Sequence, residues 1–514
     1  MSARRDDAGV LALLAVLVVI SLSPAWHRPE SGFDEGFSLS YGVRVLEGDL
    51  PHRDFVSFYG PGNPFLVAAA FAVGGVHQDT ERALGLLYRV LIVLGAAGLA
   101  LAAGRVAAVS AGAVAIVLFL PLGVPAYATP GALAFALASL ALLARARSAR
   151  DGRLPAAAAG VLAGIAGALR PDFGAAVLVA AVPLLRRADR RTLKAAVAGW
   201  AVPATALAVH ISVVGPGRAW DVLADWRRSA SGRRLPFDPF SSEAAYAEAS
   251  RLLAVALLCA AVAIALALRA RARRGEWRST LSLGLLSLLL VPYALSRLDY
   301  VHLVMTLACA GAALVVAIAV TARDARRPAV RLGGAPLAAA LFVAGAIALA
   351  PLLLGTFARQ HANRLLGRIP PADWVPVGVE GRAFGLPSDF ATDVQRIVDS
   401  AVAQQRAGAR TLFVGPRDLR RAYQNDAYLY YVLRDLEPAS YYMEVNPGTT
   451  NRTGSGLAEE IEDADVLILN GAFDLIDEPN TARRYGPDEP NRVVEARFCP
   501  VVSVGTYELL RRCR

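Results

Sequence analysis

The chain has 514 residues, 55% of them hydrophobic and only 19% charged, with a net charge of +10. Soluble domains carry roughly 25% charged residues, so a wholly soluble protein is excluded, and no CxxC or Cys/His cluster offers a metal site. The charge does not point to nucleic acid. There are 34 basic and 21 acidic residues before Phe357, against 19 and 22 from there on. The excess lies in short loops between hydrophobic runs, as the positive-inside rule predicts for a membrane protein. Lys194 is the one lysine among arginines, and with abundant Ala and Gly this composition looks like that of a high-GC bacterial genome.

In chain order, runs near the ~20 residues needed to cross a bilayer fall at 8–24, 83–104, 106–121, 128–144, 155–169, 173–185, 195–214, 251–270, 279–295, 302–321 and 333–356. The expectation is an α-helical polytopic domain over residues 1–356 with about 11 transmembrane helices. The first run ends in Ser23-Pro24-Ala25, small residues in the pattern of a signal-peptide cleavage site, so it reads as an anchor or as a cleaved signal. It opens into a first external loop at about 25–82. Within that loop the apolar segment 64–75 is too short to cross and reads as an embedded or interfacial helix.

Eleven crossings put the basic loops 145–153, 186–194, 269–278 and 322–331 on one side with the N-terminal "MSARRDD". That side is then cytoplasmic. By parity, residues 357–514 form an extracytoplasmic domain. Here "TLFVGP" (411–416) and "DVLILNG" (465–471) read as buried strands, "NDAYLYYVLRDL" (425–436) as a helix and "VVSVGTYELLRR" as a closing strand pair, a small α/β domain. Cys499 and Cys513 flank that pair and suit a disulfide in an oxidising compartment. Cys259 and Cys309 lie in hydrophobic runs, where inert buried thiols are expected.

The same parity gathers the costly ionisable groups on the outer face. Asp34 and Glu35 follow the first crossing. Arg170 and Asp172 occupy the tight turn "ALRPDFG", and Arg297, Asp299 and His302 another, "LSRLDYVHL". Arg–Asp pairs at helix ends either neutralise each other or build a site; occurring twice on the face that carries the acidic pair, they favour a site. The external loop 215–250 is basic against the rule, with Arg227, Arg228, Arg233 and Arg234 between Trp220, Trp226, Phe237 and Phe240. Its arginines suit a phosphate, in a ligand or in lipid headgroups, and its aromatic residues suit the interface.

A first membrane helix, an external Asp34-Glu35, then "GDLPHRDF…YGPGNPFLVAAAFAVGG" and many further spans resemble the GT-C superfamily. Its members are integral-membrane glycosyltransferases using polyprenyl-phosphate-linked sugars, of the protein O-mannosyltransferase and aminoarabinose transferase type. The resemblance covers roughly residues 8–356. It departs in the stretch Tyr59-Gly60-Pro61-Gly62-Asn63-Pro64, which replaces a Lys-Pro-Pro-like segment, and in the tail. It implies Asp34 and Glu35 as catalytic residues, with Asp34 the base and Glu35 orienting the acceptor. Arg297, His302, Arg227, Arg228, Arg233 and Arg234 are implied to bind the donor phosphate, and Arg170, Asp172, Asp299 and Tyr59 to support the site. No cofactor is required on this reading, although some relatives use a divalent metal (Mg or Mn). The partners implied are a polyprenyl-phosphate sugar donor, the lipid bilayer and a cell-envelope glycan, lipid or protein acceptor.

Two other classes compete. A transporter or flippase would also need many spans and intramembrane charge, but no repeat with paired broken helices is visible and the polar residues cluster on one face. A non-catalytic assembly protein presenting the tail is the third. The topology makes a direct prediction. In a background lacking native accessible thiols, cysteine at Ser388 is labelled by an impermeant reagent in intact cells and cysteine at Ser148 is protected. Labelling at Ser148 would overturn the arrangement.

Overall fold

The computed structural model describes residues 2–147, 151–186, 188–270, 277–323, 328–370, 373–421 and 423–513. Parts of the four basic loops, including Ser148, lie outside the described residues.

Every expected hydrophobic run is helical. The first is α1 (Ser2–Leu22), followed in the connection to the next long helix by α2 (Asp34–Leu46) and α3 (Gly62–Gly74). Then come α4 (Gln78–Ala100), α5 (Arg105–Phe119), α6 (Ala128–Ala146), α7 (Arg153–Leu169) and α8 (Pro171–Leu185). After α9 (Arg190–Val214) the chain forms α10 (Pro216–Gly232), then α11 (Ala244–Ala270), α12 (Trp277–Leu289), α13 (Val291–Ser296), α14 (Tyr300–Ala322) and α15 (Pro328–Leu349). Among the described residues eight helices are long and apolar enough to cross a membrane, or nine counting one bent pair. This is a multi-pass integral membrane protein.

Three runs depart from simple crossings. α7 and α8 have 17 and 15 residues, about 26 and 23 Å at 1.5 Å per residue, short of a ~30 Å hydrocarbon core. The run expected over 333–356 does not continue straight. Ala350 leaves the helical region and Pro351 opens a new turn, bending the axis by 110° into α16 (Phe357–Leu365). Proline has no N–H for the preceding turn. The N–H groups of Leu352 and Leu353 that the break exposes are taken by the Glu248 carboxylate of α11 at 3.0 and 2.8 Å.

The glycine-rich stretch before α3 has a steric reason. A Cβ on Gly60 would lie 2.0 Å from the Ala168 carbonyl oxygen, and the Gly60 N–H donates to Leu169 O at 2.9 Å. Glycine is what lets this loop press against the end of α7.

The tail is the expected mixed α/β domain. A hairpin of β1 (Val375–Val379) and β2 (Arg382–Leu386) precedes α17 (Ser388–Arg406). A five-stranded sheet follows, built from β3 (Thr411–Pro416), β4 (Glu437–Pro438), β5 (Val466–Asn470), β6 (Phe498–Val504) and β7 (Tyr507–Arg512) in the order β4-β3-β5-β7-β6. β3 pairs in parallel with β4 and β5, and β7 runs antiparallel between β5 and β6. Both expected strands and the closing pair are present. The expected helix over 425–436 shrinks to α18 (Tyr428–Val432). Asn425 is spent on the carbonyls of Val414 and Met443, and the chain turns at Leu433 toward β4. α19 (Leu457–Glu462) and α20 (Glu489–Arg497) complete the domain. The main hydrophobic core runs from Leu14 in α1 through Tyr428 to Leu509 in β7, so the tail packs against the membrane bundle, and a second cluster around Phe413, Ile461 and Leu467 lies within the tail.

Cys499 and Cys513 form a disulfide across the β6–β7 hairpin. Alkylation of freshly isolated protein should reach both only after reduction, and Cys499→Ser should lower stability by about 3 kcal/mol, the chain-entropy value for a loop of this size. Two free thiols in untreated protein would contradict the pairing.

Candidate active site

The first turn of α2 carries the sequence Asp34-Glu35-Gly36, and the three residues are used in three directions. Glu35 is fully buried against Arg82 of α4, whose Nε and Nη2 donate to the two carboxylate oxygens at 2.7 and 2.9 Å. Gly36 faces the tail: a Cβ there would lie 2.2 Å from the Tyr428 nitrogen. Asp34 is left facing a cavity of about 170 Å³.

That cavity draws its walls from six parts of the chain. α2 gives Asp34, and the loop before α3 gives Phe58 and Tyr59. Arg170 comes from the α7–α8 turn, and Trp226, Ser229, Ala230 and Arg233 from α10. The α13–α14 junction gives Tyr293, Ser296, Arg297, Asp299, Val301 and His302. The tail adds Gln424, Glu444 and Asn446.

The three cavity arginines differ in how their charge is met. Arg170 makes a two-pronged pair with Asp172 at 3.0 and 2.8 Å and lies over the rings of Tyr293 and Tyr59. Arg297 is held by Asp299 at 2.7 Å and by both oxygens of Glu478, at 2.8 and 2.5 Å. Arg233 makes no ion pair among the described residues. Its Nη1 donates to the Asn446 side-chain oxygen at 2.7 Å, its buried Nε has no hydrogen-bond partner, and its plane lies near Phe33 and Tyr423. Asp34 is equally unclaimed: no hydrogen bond or ion pair engages its carboxylate among the described residues, and only its backbone N–H is bound, by Ser31 Oγ.

Asp299 caps α14, accepting from the His302 N–H at 3.0 Å and meeting His302 Nδ1 at 2.7 Å. Burial alone would raise its carboxyl, but His302 and Arg297 together hold it well below the usual carboxylate range. Glu444 is the opposite case. It is 2% exposed, accepts from Tyr41 Oη at 2.7 Å, and is pushed up to about 8 by burial, with Asp34 adding to the rise.

The structure therefore brings together Asp34, Tyr59, Arg170, Arg233, Arg297, Asp299 and His302. It leaves others outside. Glu35, expected to share the chemistry, is locked in the buried pair with Arg82. Asp172 supports Arg170 without lining the cavity. Arg227, Arg228 and Arg234 are exposed, and Arg228 is held by Asp225 of its own helix. Helical geometry explains this: Asp225, Ser229, Gly232 and Arg233 share the inward face of α10, and the remaining arginines point away. The tail residues Glu444 and Asn446 were not expected. Their one signal is a lone carboxylate within the aromatic and apolar "YYMEVN". Among the described residues no group of three or more His, Cys, Asp or Glu side chains gathers to hold a metal ion.

This architecture is shared with a solved membrane protein. The chain matches the structure of ArnT from Cupriavidus metallidurans bound to undecaprenyl phosphate, with a TM-score of 0.52, 13% identity and 98% of each chain covered. The apo state of that ArnT matches at 0.49 and 14% identity over 98% of both chains. The oligosaccharyltransferase AglB from Archaeoglobus fulgidus, in complex with an inhibitory peptide and a dolichol-phosphate, matches at 0.49 and 10%, covering 98% of this chain and 74% of that one. No family model matches the sequence, and no curated protein does. The ArnT likeness establishes the fold along the whole chain, tail included.

The two adjacent carboxylates should separate cleanly by stability. Glu35→Gln leaves Arg82 buried without its counter-ion and should cost about 3–5 kcal/mol, read as a lower melting temperature in detergent. Asp34→Asn loses no partner and should cost less than about 1 kcal/mol. Equal melting temperatures would refute this division of roles.

Proposed function

We propose that this chain is a membrane glycosyltransferase that moves a sugar from a polyprenyl-phosphate donor to a hydroxyl group of a cell-envelope acceptor. The carrying observation is that one cavity holds an unclaimed carboxylate, Asp34, and an arginine without a counter-ion, Arg233. Glycosyl transfer needs these two: a base for the attacking hydroxyl and a cation for the departing phosphate.

In the reaction the acceptor oxygen bonds to the anomeric carbon while its proton passes to the Asp34 carboxylate. The bond from that carbon to the phosphate oxygen breaks, and polyprenyl phosphate leaves with the electron pair. A single displacement inverts the anomeric centre. Arg233 meets the growing phosphate charge, with the Arg170 guanidinium, fixed by Asp172 and two aromatic rings, beside it. Arg297, with three hydrogen bonds to Asp299 and Glu478, serves to hold the tail against α14. The fold of ArnT, whose structure contains undecaprenyl phosphate, supports the donor class. The tail disulfide and the basic loops support an extracytoplasmic cavity and a cytoplasmic N-terminus. No step is routed through a metal.

Asp34→Asn keeps shape and removes the proton acceptor. Transfer should fall by about 10²–10⁴-fold while undecaprenyl phosphate binding persists. Arg233→Ala should weaken lipid binding and transfer together, because it removes a contact made in both ground and transition states. Undiminished transfer by Asp34→Asn would move the base elsewhere, and lipid binding with no sugar transfer in the wild type would favour a carrier.

A further inference from the structure

The tail reaches the cavity through the segment that follows β4, which is strapped over the external loop and α2. The Val56 N–H donates to Tyr441 O at 2.9 Å, Tyr441 Oη donates to His52 O at 3.0 Å, and Tyr41 Oη donates to Glu444. One side-chain amide then links the segment to the unpaired arginine. Asn446 accepts from Arg233 on its oxygen and donates from its nitrogen to Glu444 Oε2 at 3.3 Å.

Resting on the glycosyltransferase reading, we propose that Glu444 belongs to the donor-phosphate subsite as a competitor for Arg233 that is controlled by its own proton. Neutral, it leaves the guanidinium open to a lipid phosphate; ionised, it claims the guanidinium as its counter-ion and adds a second negative charge beside Asp34.

Three observations carry this. Arg170 and Arg297 already have carboxylate partners, so Arg233 is the cavity arginine with charge to give. Its Nε is buried and unpartnered, a donor awaiting an acceptor. Glu444 is nearly fully buried in the same cavity with no cation in ion-pair contact, which disfavours its charged form. The groups facing it are Asp34 and Tyr41 of α2, Tyr59 of the loop before α3, Arg233 of α10 and its neighbour Asn446. Asp34 opposes ionisation of Glu444, whereas Tyr41, Arg233 and Asn446 favour it. The balance leaves the acid neutral at pH 7 and ionising near 8. Asn446 is a positioning residue that holds Arg233 within reach of both competitors.

The test is undecaprenyl phosphate binding to the full-length protein in nanodiscs between pH 6.5 and 9.5, read by fluorescence of Trp226, which lines the cavity. Wild-type Kd should rise about tenfold per pH unit above the Glu444 midpoint, as the competent fraction falls. The probe's own second ionisation, near pH 6, acts in the opposite direction. Glu444→Gln should flatten the alkaline rise. Tyr41→Phe removes a donor that favours the carboxylate, so it should move the rise to higher pH. A wild-type Kd constant from pH 7 to 9.5, or the same rise in Glu444→Gln, overturns the inference and leaves the transferase reading standing. Should Glu444→Gln fail to fold, an unmoved midpoint in Tyr41→Phe overturns it and a raised one supports it. Absence of lipid binding at every pH would sink both together.

Discussion

The geometry of the cavity end of this protein hangs on the buried pair between Glu35 and Arg82. The carboxylate is 0% and the guanidinium 1% exposed, and the two are joined by two parallel hydrogen bonds. Arg82 also donates to the backbone carbonyls of Trp26 and Arg28. One side chain thus ties the exit from α1, the first turn of α2 and the body of α4. A buried pair of this kind is weak evidence for net stability, because desolvation offsets most of the attraction. Its worth lies in orientation. Successive helical residues point about 100° apart, so fixing Glu35 toward α4 turns Asp34 toward the cavity and Gly36 toward the tail. The neighbouring Glu81 reinforces the arrangement by accepting from the Ala126 N–H at 2.6 Å, which holds the loop before α6 against the same turn.

Gly36 makes the next link. With no Cβ, it lets the Tyr428 backbone of α18 sit directly on α2, where the Tyr428 N–H donates to Gly32 O and Ser40 donates to Ala427 O. The Tyr428 ring stacks on Phe384 of β2 with centroids 4.6 Å apart. Docking α18 here brings the following segment over α2 and delivers Glu444 and Asn446 to the cavity. Farther round, Thr481 donates to Gly232 O and Glu478 holds Arg297. The boundary near residue 356 is a change of composition; the cavity wall crosses it.

Much of this was legible in the sequence, and the misses have physical causes. The spans showed because bilayer thickness imposes a run length, and the two Arg–Asp turns showed because charge at membrane depth is rare. β3 and β5 showed because buried strands read as unbroken apolar runs, and the β6–β7 pair because a glycine turn separates two strand-forming runs. The four arginines at the end of α10 and just beyond it looked equivalent because composition does not reveal which way each points; only Arg233, the C-cap, lines the cavity. Pro351 lay inside an apolar run that hydropathy reads as continuous, yet its missing N–H breaks the helix. Glu35 looked like a partner of Asp34 because adjacency in sequence suggests a shared task, whereas in a helix it guarantees divergence. Glu444 was hidden more deeply. Its partner Tyr41 is 403 positions away in sequence and its cavity neighbour Arg233 is 211 away, and only the docking of the tail unites them.

The cavity is also biased toward an anion by its backbone. α2 starts at Asp34, α8 at Pro171 and α14 at Tyr300, so three helix N-termini of at least 13 residues each open on the same space. Each presents a partial positive charge that decays within a turn. Asp299 absorbs much of this at α14, and the Asp172 and Arg170 charges offset each other at α8. What remains uncompensated is the guanidinium of Arg233, since Asp34 and Glu35 stand in the first turn of α2. The helix N-termini around the cavity, with Arg233, favour a phosphate there. The carboxylates Asp172, Asp299 and Glu478 prevent that positive field from becoming general, since each is matched to a particular arginine. The outcome is a cavity in which the charge free to meet a ligand has been reduced to one anion and one cation.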